Sequence, residues 1–150
     1  MDSILVAVDG SKHTEKVVQV ATELAKKTSS EIILANVIKA PAEEPERFKD
    51  YEKVENYRDA YAAYLQEIGN DILSKIRSKL AESKISCKTL VETGNPADRI
   101  LEIAKVEEPM LIILGLRGLH GVERIRSLGS VARRIIENSK FWSFRPNPRH

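Results

Sequence analysis

The chain alternates short, continuous apolar runs with longer segments in which apolar residues recur every three or four positions. Ile4-Leu-Val-Ala-Val8 is rich in β-branched residues and closes on Asp9-Gly10, which reads as a buried strand ending in a turn. Ser11 can then cap a helix whose Val17, Val18, Val20, Ala21, Leu24 and Ala25 keep helical spacing, while Lys26 and Lys27 suit the negative end of its dipole. Glu31 to Ile38 repeats the buried-strand signature, so a first β-α-β unit is complete by residue 38. Residues 39 to 56 carry Pro41, Pro45 and many charges and read as an exposed excursion. From Asn56 the stripe Tyr57, Tyr61, Tyr64, Leu65, Ile68, Ile72, Ile76, Leu80 predicts a long amphipathic helix to about Ser83, its tyrosines serving in packing.

Ile85 to Glu92 reads as a third strand, less uniformly apolar and therefore near the sheet edge, with Cys87 as a core side chain. Asn95-Pro96-Ala97-Asp98 is a helix start, with Asn at the cap, Pro at the first helical position and Asp in the first turn. Ile100, Leu101, Ile103 and Ala104 supply the buried face of that helix, and Pro109 stops it. Met110 to Leu114 is the most apolar strand and belongs in the centre, beside the first. Strands alternating with helices define an α/β class, an open parallel sheet covered by helices on both faces.

Composition changes this picture little. A chain of 150 residues with 42% hydrophobic and 31% charged residues fits one soluble domain, assigned here to residues 1–140, followed by an irregular tail at 141–150. No apolar run approaches the roughly 20 residues of a membrane span. The N-terminal sequence lacks the features of a secretory signal, and the single Cys87 cannot pair internally, so the expected location is cytoplasmic. A net charge of +2 argues for neither nucleic acid nor a membrane surface as partner. Charge is uneven, however: the Pro41–Asp59 stretch is acidic, and the chain from Arg117 onward is strongly basic and suited to anions.

Candidate chemistry gathers at two strand ends. One is Asp9-Gly10-Ser11, and the other is Gly115-Leu116-Arg117-Gly118-Leu119-His120-Gly121. Glycines directly after a buried strand let backbone N–H groups turn toward a phosphate with no Cβ in the way. Gly129-Ser130 opens another helix, with Val131, Ile135 and Ile136 on its apolar face, and its free N–H groups favour an anion. Arg117, Arg124 and Arg126 add positive charge. No nucleophile with a base, no carboxylate pair and no zinc spacing is visible, and His13, His120 and His150 are scattered. Asp9 is a candidate oxygen ligand for a divalent ion carried by phosphates.

These stretches resemble the universal stress protein family over nearly the whole chain. The likeness rests on Ile4-Leu-Val-Ala-Val-Asp-Gly-Ser11, on Gly94-Asn-Pro-Ala-Asp98, and on Leu111-Ile-Ile-Leu-Gly-Leu-Arg-Gly-Leu-His-Gly121 through Leu128-Gly-Ser-Val131. It implies a Rossmann-like, adenine nucleotide alpha hydrolase-like fold with five parallel strands, usually dimeric, binding ATP (or ADP or AMP), with Mg or Mn on the phosphates. It further implies that Asp9 and Val37 contact the adenosine end, that Gly115 and Gly118 lie along the ribose and phosphates, and that Gly129, Ser130 and Val131 meet the phosphates.

Two features depart from the family. Leu119 to Leu128 places ten residues between Gly118 and Gly129, where the family signature has nine. The end of the chain, Lys140-Phe-Trp-Ser-Phe-Arg-Pro-Asn-Pro-Arg-His150, is a poor match to the family's final apolar strand, which commonly makes the dimer contact. The expectation is therefore a final edge strand that is absent or degraded, with Phe141, Trp142 and Phe144 packing on the sheet edge or meeting a partner. Three functional readings follow: an ATP-binding module in stress response whose nucleotide orders the glycine loop and modulates protein interactions, a scaffold that has lost nucleotide, and a slow ATP hydrolase.

Overall fold

The computed structural model describes residues 1–10, 14–38, 57–114 and 142–144. Strand β1 (Ser3–Ala7), helix α1 (Thr14–Thr28), strand β2 (Glu31–Ile38), helix α2 (Tyr57–Glu82), strand β3 (Cys87–Thr93), helix α3 (Pro96–Glu107) and strands β4 (Leu111–Leu114) and β5 (Trp142–Phe144) follow in chain order. The strands form one sheet in the order β3-β2-β1-β4-β5, with every pair parallel. From β1 the chain steps outward to β2 and β3, then returns past β1 to β4. Crossovers of one hand must therefore switch faces at the return.

The core shows that switch. Ile4, Val6 and Val8 of the β1 segment join Ile32, Leu34 and Ile113 under α1 and α2, meeting Val17, Val18, Ala21, Leu73, Ile76 and Leu80. Leu5, Ala7, Ile33, Ala35, Ile112 and Leu114 face the other way, onto Ile100, Ile103 and Ala104 of α3. Because both faces are covered, successive residues of β1, β2 and β4 are nearly all apolar, which is why these strands read as hydrophobic runs. Each such side chain contributes about 1.5–3 kcal/mol of burial.

Local chemistry sets the element ends. Asn95 is extended (φ −75°, ψ 124°), and its side-chain oxygen accepts from the Asp98 N–H at 3.2 Å, with Pro96 at the first helical position. At the other end Glu108 turns left-handed (φ 46°), its N–H donates to the Ala104 carbonyl at 3.0 Å, and Pro109 prevents continuation. Helix α2 spans Tyr57–Glu82, matching the predicted stripe, and Tyr61 and Tyr64 lie half-buried with ring centroids 6.4 Å apart. β3 occupies one sheet edge and β4 lies beside β1, as expected. The final strand, expected to be absent or degraded and to fall in an irregular tail, is present: Trp142–Phe144 pair in parallel with Leu111–Ile113.

Helix α2 approaches β3 at Gly69, where an added Cβ would lie 2.4 Å from Cγ1 of Val91. Gly69→Ala gains about 1 kcal/mol of helix propensity but overpacks the contact at a cost of about 1–3 kcal/mol. Urea unfolding is expected to show net destabilisation in the wild-type background. In a Val91→Ala background the same change should be neutral or stabilising, and a stabilising Gly69→Ala in the wild type would contradict this packing.

Candidate functional site

The order of the sheet reverses at β1, which lies between β2 and β4, and α1 after β1 and α3 before β4 pack on opposite faces. A crevice at the carboxyl ends of such strands is where ligands enter open α/β sheets. Here Ala7 pairs with Ala35 on one side and with Leu114 on the other, so the ends of β1, β2 and β4 lie level. Asp9 and Val37 each stand two residues beyond the Ala7–Ala35 pair, and the register brings these two predicted residues together at the same edge. Val37 packs against the α3 side of the sheet, and alternation from Leu5 and Ala7 carries Asp9 toward that side. Asp9 is exposed, and Gly10 turns the chain with φ +78°, a conformation suited to glycine.

The turn is held from below. One residue past β1, the Val8 N–H donates to the Ala35 carbonyl at 2.9 Å. The Val8 carbonyl accepts from Nδ2 of Asn36 at 2.8 Å. Asn36 is 3% exposed, and its Oδ1 has no partner. Sequence reasoning passed over this residue, although a lone amide inside Ile32-Ile-Leu-Ala-Asn-Val-Ile38 is a visible anomaly. Nearby, in the first turn of α1, Thr14 Oγ1 and Lys16 Nζ are also buried without partners. A cavity of about 330 Å³ opens beside Gly10 between α1 and α2, lined by Thr14, Val18, Ile72, Lys75 and Ile76. It lies on the face opposite to Val37.

Gly115, Arg117, Gly118, Gly129, Ser130 and Val131, together with Ser11, Arg124, Arg126 and the three histidines, lie outside the described residues. Among the described residues no group of three or more His, Cys, Asp or Glu is arranged to hold a metal, and no helix is long and apolar enough to cross a membrane.

A model of the universal stress protein family matches residues 1–141. The universal stress protein YxiE of Bacillus subtilis is 30% identical over 139 residues, covering 92% of this chain and 93% of that protein. Among solved structures, an Arabidopsis thaliana protein of the same family with AMP bound superposes with a TM-score of 0.65 at 19% identity, covering 99% of this chain and 94% of its own. A universal stress protein solved in complex with cAMP gives a TM-score of 0.65 at 21% identity, covering 97% and 96%. At these identities the structural likeness establishes the fold.

Cys87, expected in the core, is half-buried on β3, the edge strand among the described residues, and packs against the core under α1 and α2. Burial pushes its thiol pKa up, with the Arg77 charge and a hydrogen bond to the Leu34 backbone acting in the opposite direction. The thiolate is therefore disfavoured in the folded chain and the residue is a poor nucleophile. An unfolded cysteine ionises near about 8.5. As pH rises through that value the unfolded state loses its proton first, so stability should fall. Denaturant unfolding should show the wild type losing stability relative to Cys87→Ser above about pH 8.5. Iodoacetamide should also label native Cys87 more slowly than the unfolded chain, and equal rates would contradict the shift.

Proposed function

The chain belongs to the universal stress protein family, and from that premise we propose that it is a nucleotide-binding module of the stress response, taking ATP, ADP or AMP at the carboxyl edge of the sheet. One observation carries this reading: strand order reverses at β1, and the Asp9-Gly10 turn and Val37 come level at that reversal. Family structures with AMP and with cAMP bound support it.

In this reading Asp9 and Val37 receive the adenosine end, Val37 through apolar contact and Asp9 as a hydrogen-bond acceptor. Gly115 and Gly118 follow the ribose and phosphates, with Arg117 adding charge. Gly129, Ser130 and Val131 offer backbone N–H groups and a hydroxyl to the phosphates. Mg or Mn would arrive on the phosphates, with Asp9 as one oxygen ligand. Nucleotide binding then orders the glycine loop and changes the surface offered to a protein partner or a second copy. No residue is assigned to position an attacking water, so the reading is of a binding module.

Protein purified without added ligand and then denatured should release adenine nucleotide, and apo protein should bind ATP, ADP or AMP in calorimetry. Gly115→Val should abolish retention, because its side chain occupies the phosphate path. Asp9→Ala removes a hydrogen-bond acceptor worth about 1.5–3 kcal/mol and should weaken binding about tenfold to a hundredfold. A folded wild type that neither retains nor binds nucleotide would overturn the proposal and leave an interaction scaffold. ADP release above a blank and lost in Asp9→Ala would instead identify a slow hydrolase.

A further inference from the structure

Among the buried polar side chains that the nucleotide reading leaves unused, Asn36 is the least exposed. Asn36 is 3% exposed on the α1–α2 side of β2, in the layer of Ile32 and Leu34. Its amide makes a 2.8 Å bond to the Val8 carbonyl, while its Oδ1 is buried with no partner. A buried acceptor left unpaired carries a desolvation penalty that an apolar side chain would avoid. Filling the layer is therefore a poor account of an amide at this position.

What the amide supplies is direction. β1 ends at Ala7, yet both polar groups of Val8 remain tied to β2, the N–H to the Ala35 carbonyl at 2.9 Å and the carbonyl to Asn36. The Val8–Asp9 peptide plane is thereby fixed one residue beyond the strand, immediately before Gly10 takes its left-handed φ of +78°. Rotation of that peptide would swing the Asp9 side chain away from the level of Val37. Val37 is the next residue after Asn36, so one short segment of β2 both lines the edge and aims the residue opposite it.

We propose that Asn36 is a positioning residue of the nucleotide cleft, holding the Val8 carbonyl so that Asp9 faces the adenosine end, without touching the ligand. This rests on the nucleotide reading above. Since Asn36 acts through Asp9, its loss and the loss of Asp9 are not independent.

The test is a double-mutant cycle read by calorimetric affinity for ATP and for adenosine, with far-UV dichroism and a cooperative thermal transition confirming that each variant is folded. Asn36→Leu should weaken ATP and adenosine by the same factor, about tenfold, because the defect lies at the nucleoside end. In an Asp9→Ala background Asn36→Leu should change affinity less than twofold. Asn36→Asp supplies a second, nearly isosteric readout. Its carboxylate cannot donate to the Val8 carbonyl at pH 8, whereas the protonated form can, and burial raises the pH at which it protonates. The ratio of Asn36→Asp to wild-type affinity, measured at matched pH, should therefore recover toward one as pH falls from 8 to 5.

Wild-type affinity in Asn36→Leu, or a loss that multiplies fully with that of Asp9→Ala, would overturn the positioning role while leaving nucleotide binding intact. A flat ratio for Asn36→Asp across pH would do the same if Asn36→Leu does not fold. Failure of the wild type itself to bind would overturn the nucleotide reading, and the positioning role with it.

Discussion

A sheet that is buried on both faces can be wound outward in only one direction before a helix must cross to the other side. In this chain the reversal comes after β3: the connection through α3 returns past β2 and β1 and sets β4 against β1. Everything at the carboxyl edge depends on that return. It makes β1 and β4 neighbours although about a hundred residues separate them, and it sends α1 and α3 to opposite faces. In open α/β sheets a reversal of this kind leaves a gap at the carboxyl edge, a consequence of packing that precedes any chemistry added to it.

The polar groups around that gap carry a cost that the core beneath it absorbs. Ile4, Leu5, Ile32, Ile33, Ile112 and Ile113 are fully buried and hold the three central strands rigidly in register. Above them, Thr14 Oγ1, Lys16 Nζ and Asn36 Oδ1 are buried without partners. Unpaired polar atoms of this kind are tolerated where a rigid scaffold over-determines the local structure. They gather at the carboxyl end of the sheet, while the amino-terminal end, at Ser3 and Ser30, is closed by ordinary bonds such as Met110 N–H to the Ser3 carbonyl and Ser30 N–H to the Ala25 carbonyl.

Much of the architecture was legible because the signals were local. Asn95, Pro96 and Pro109 bracket α3 through capping and through the missing proline N–H, and the Tyr57-to-Leu80 stripe marks α2 nearly to the residue. The β3 strand was harder. None of its residues is fully buried, with Lys88 and Thr93 exposed and the others intermediate, so the apolar signal is weak and its start shifts from Ile85 to Cys87. Asp9 and Val37 were expected as site residues from the family resemblance, and the register of β1 on β2 puts both at the same edge of the sheet. Asn36 was passed over because the hydropathy of its neighbours is what makes β2 recognisable, and a single amide does not disturb that pattern.

By itself, then, the sequence determined β1 to β4 and α1 to α3, and that the sheet is parallel and covered on both faces. These follow from side-chain periodicity and from backbone groups that act within a few residues of themselves. Only the tertiary structure decided that Asp9 stands level with Val37, that Asn36 reaches the Val8 carbonyl across the strand pair, and that Trp142–Phe144 pairs with β4 despite the prolines beyond it. Such relations are set by register between strands far apart in the chain, and a register is fixed by the whole buried layer rather than by any one of its residues.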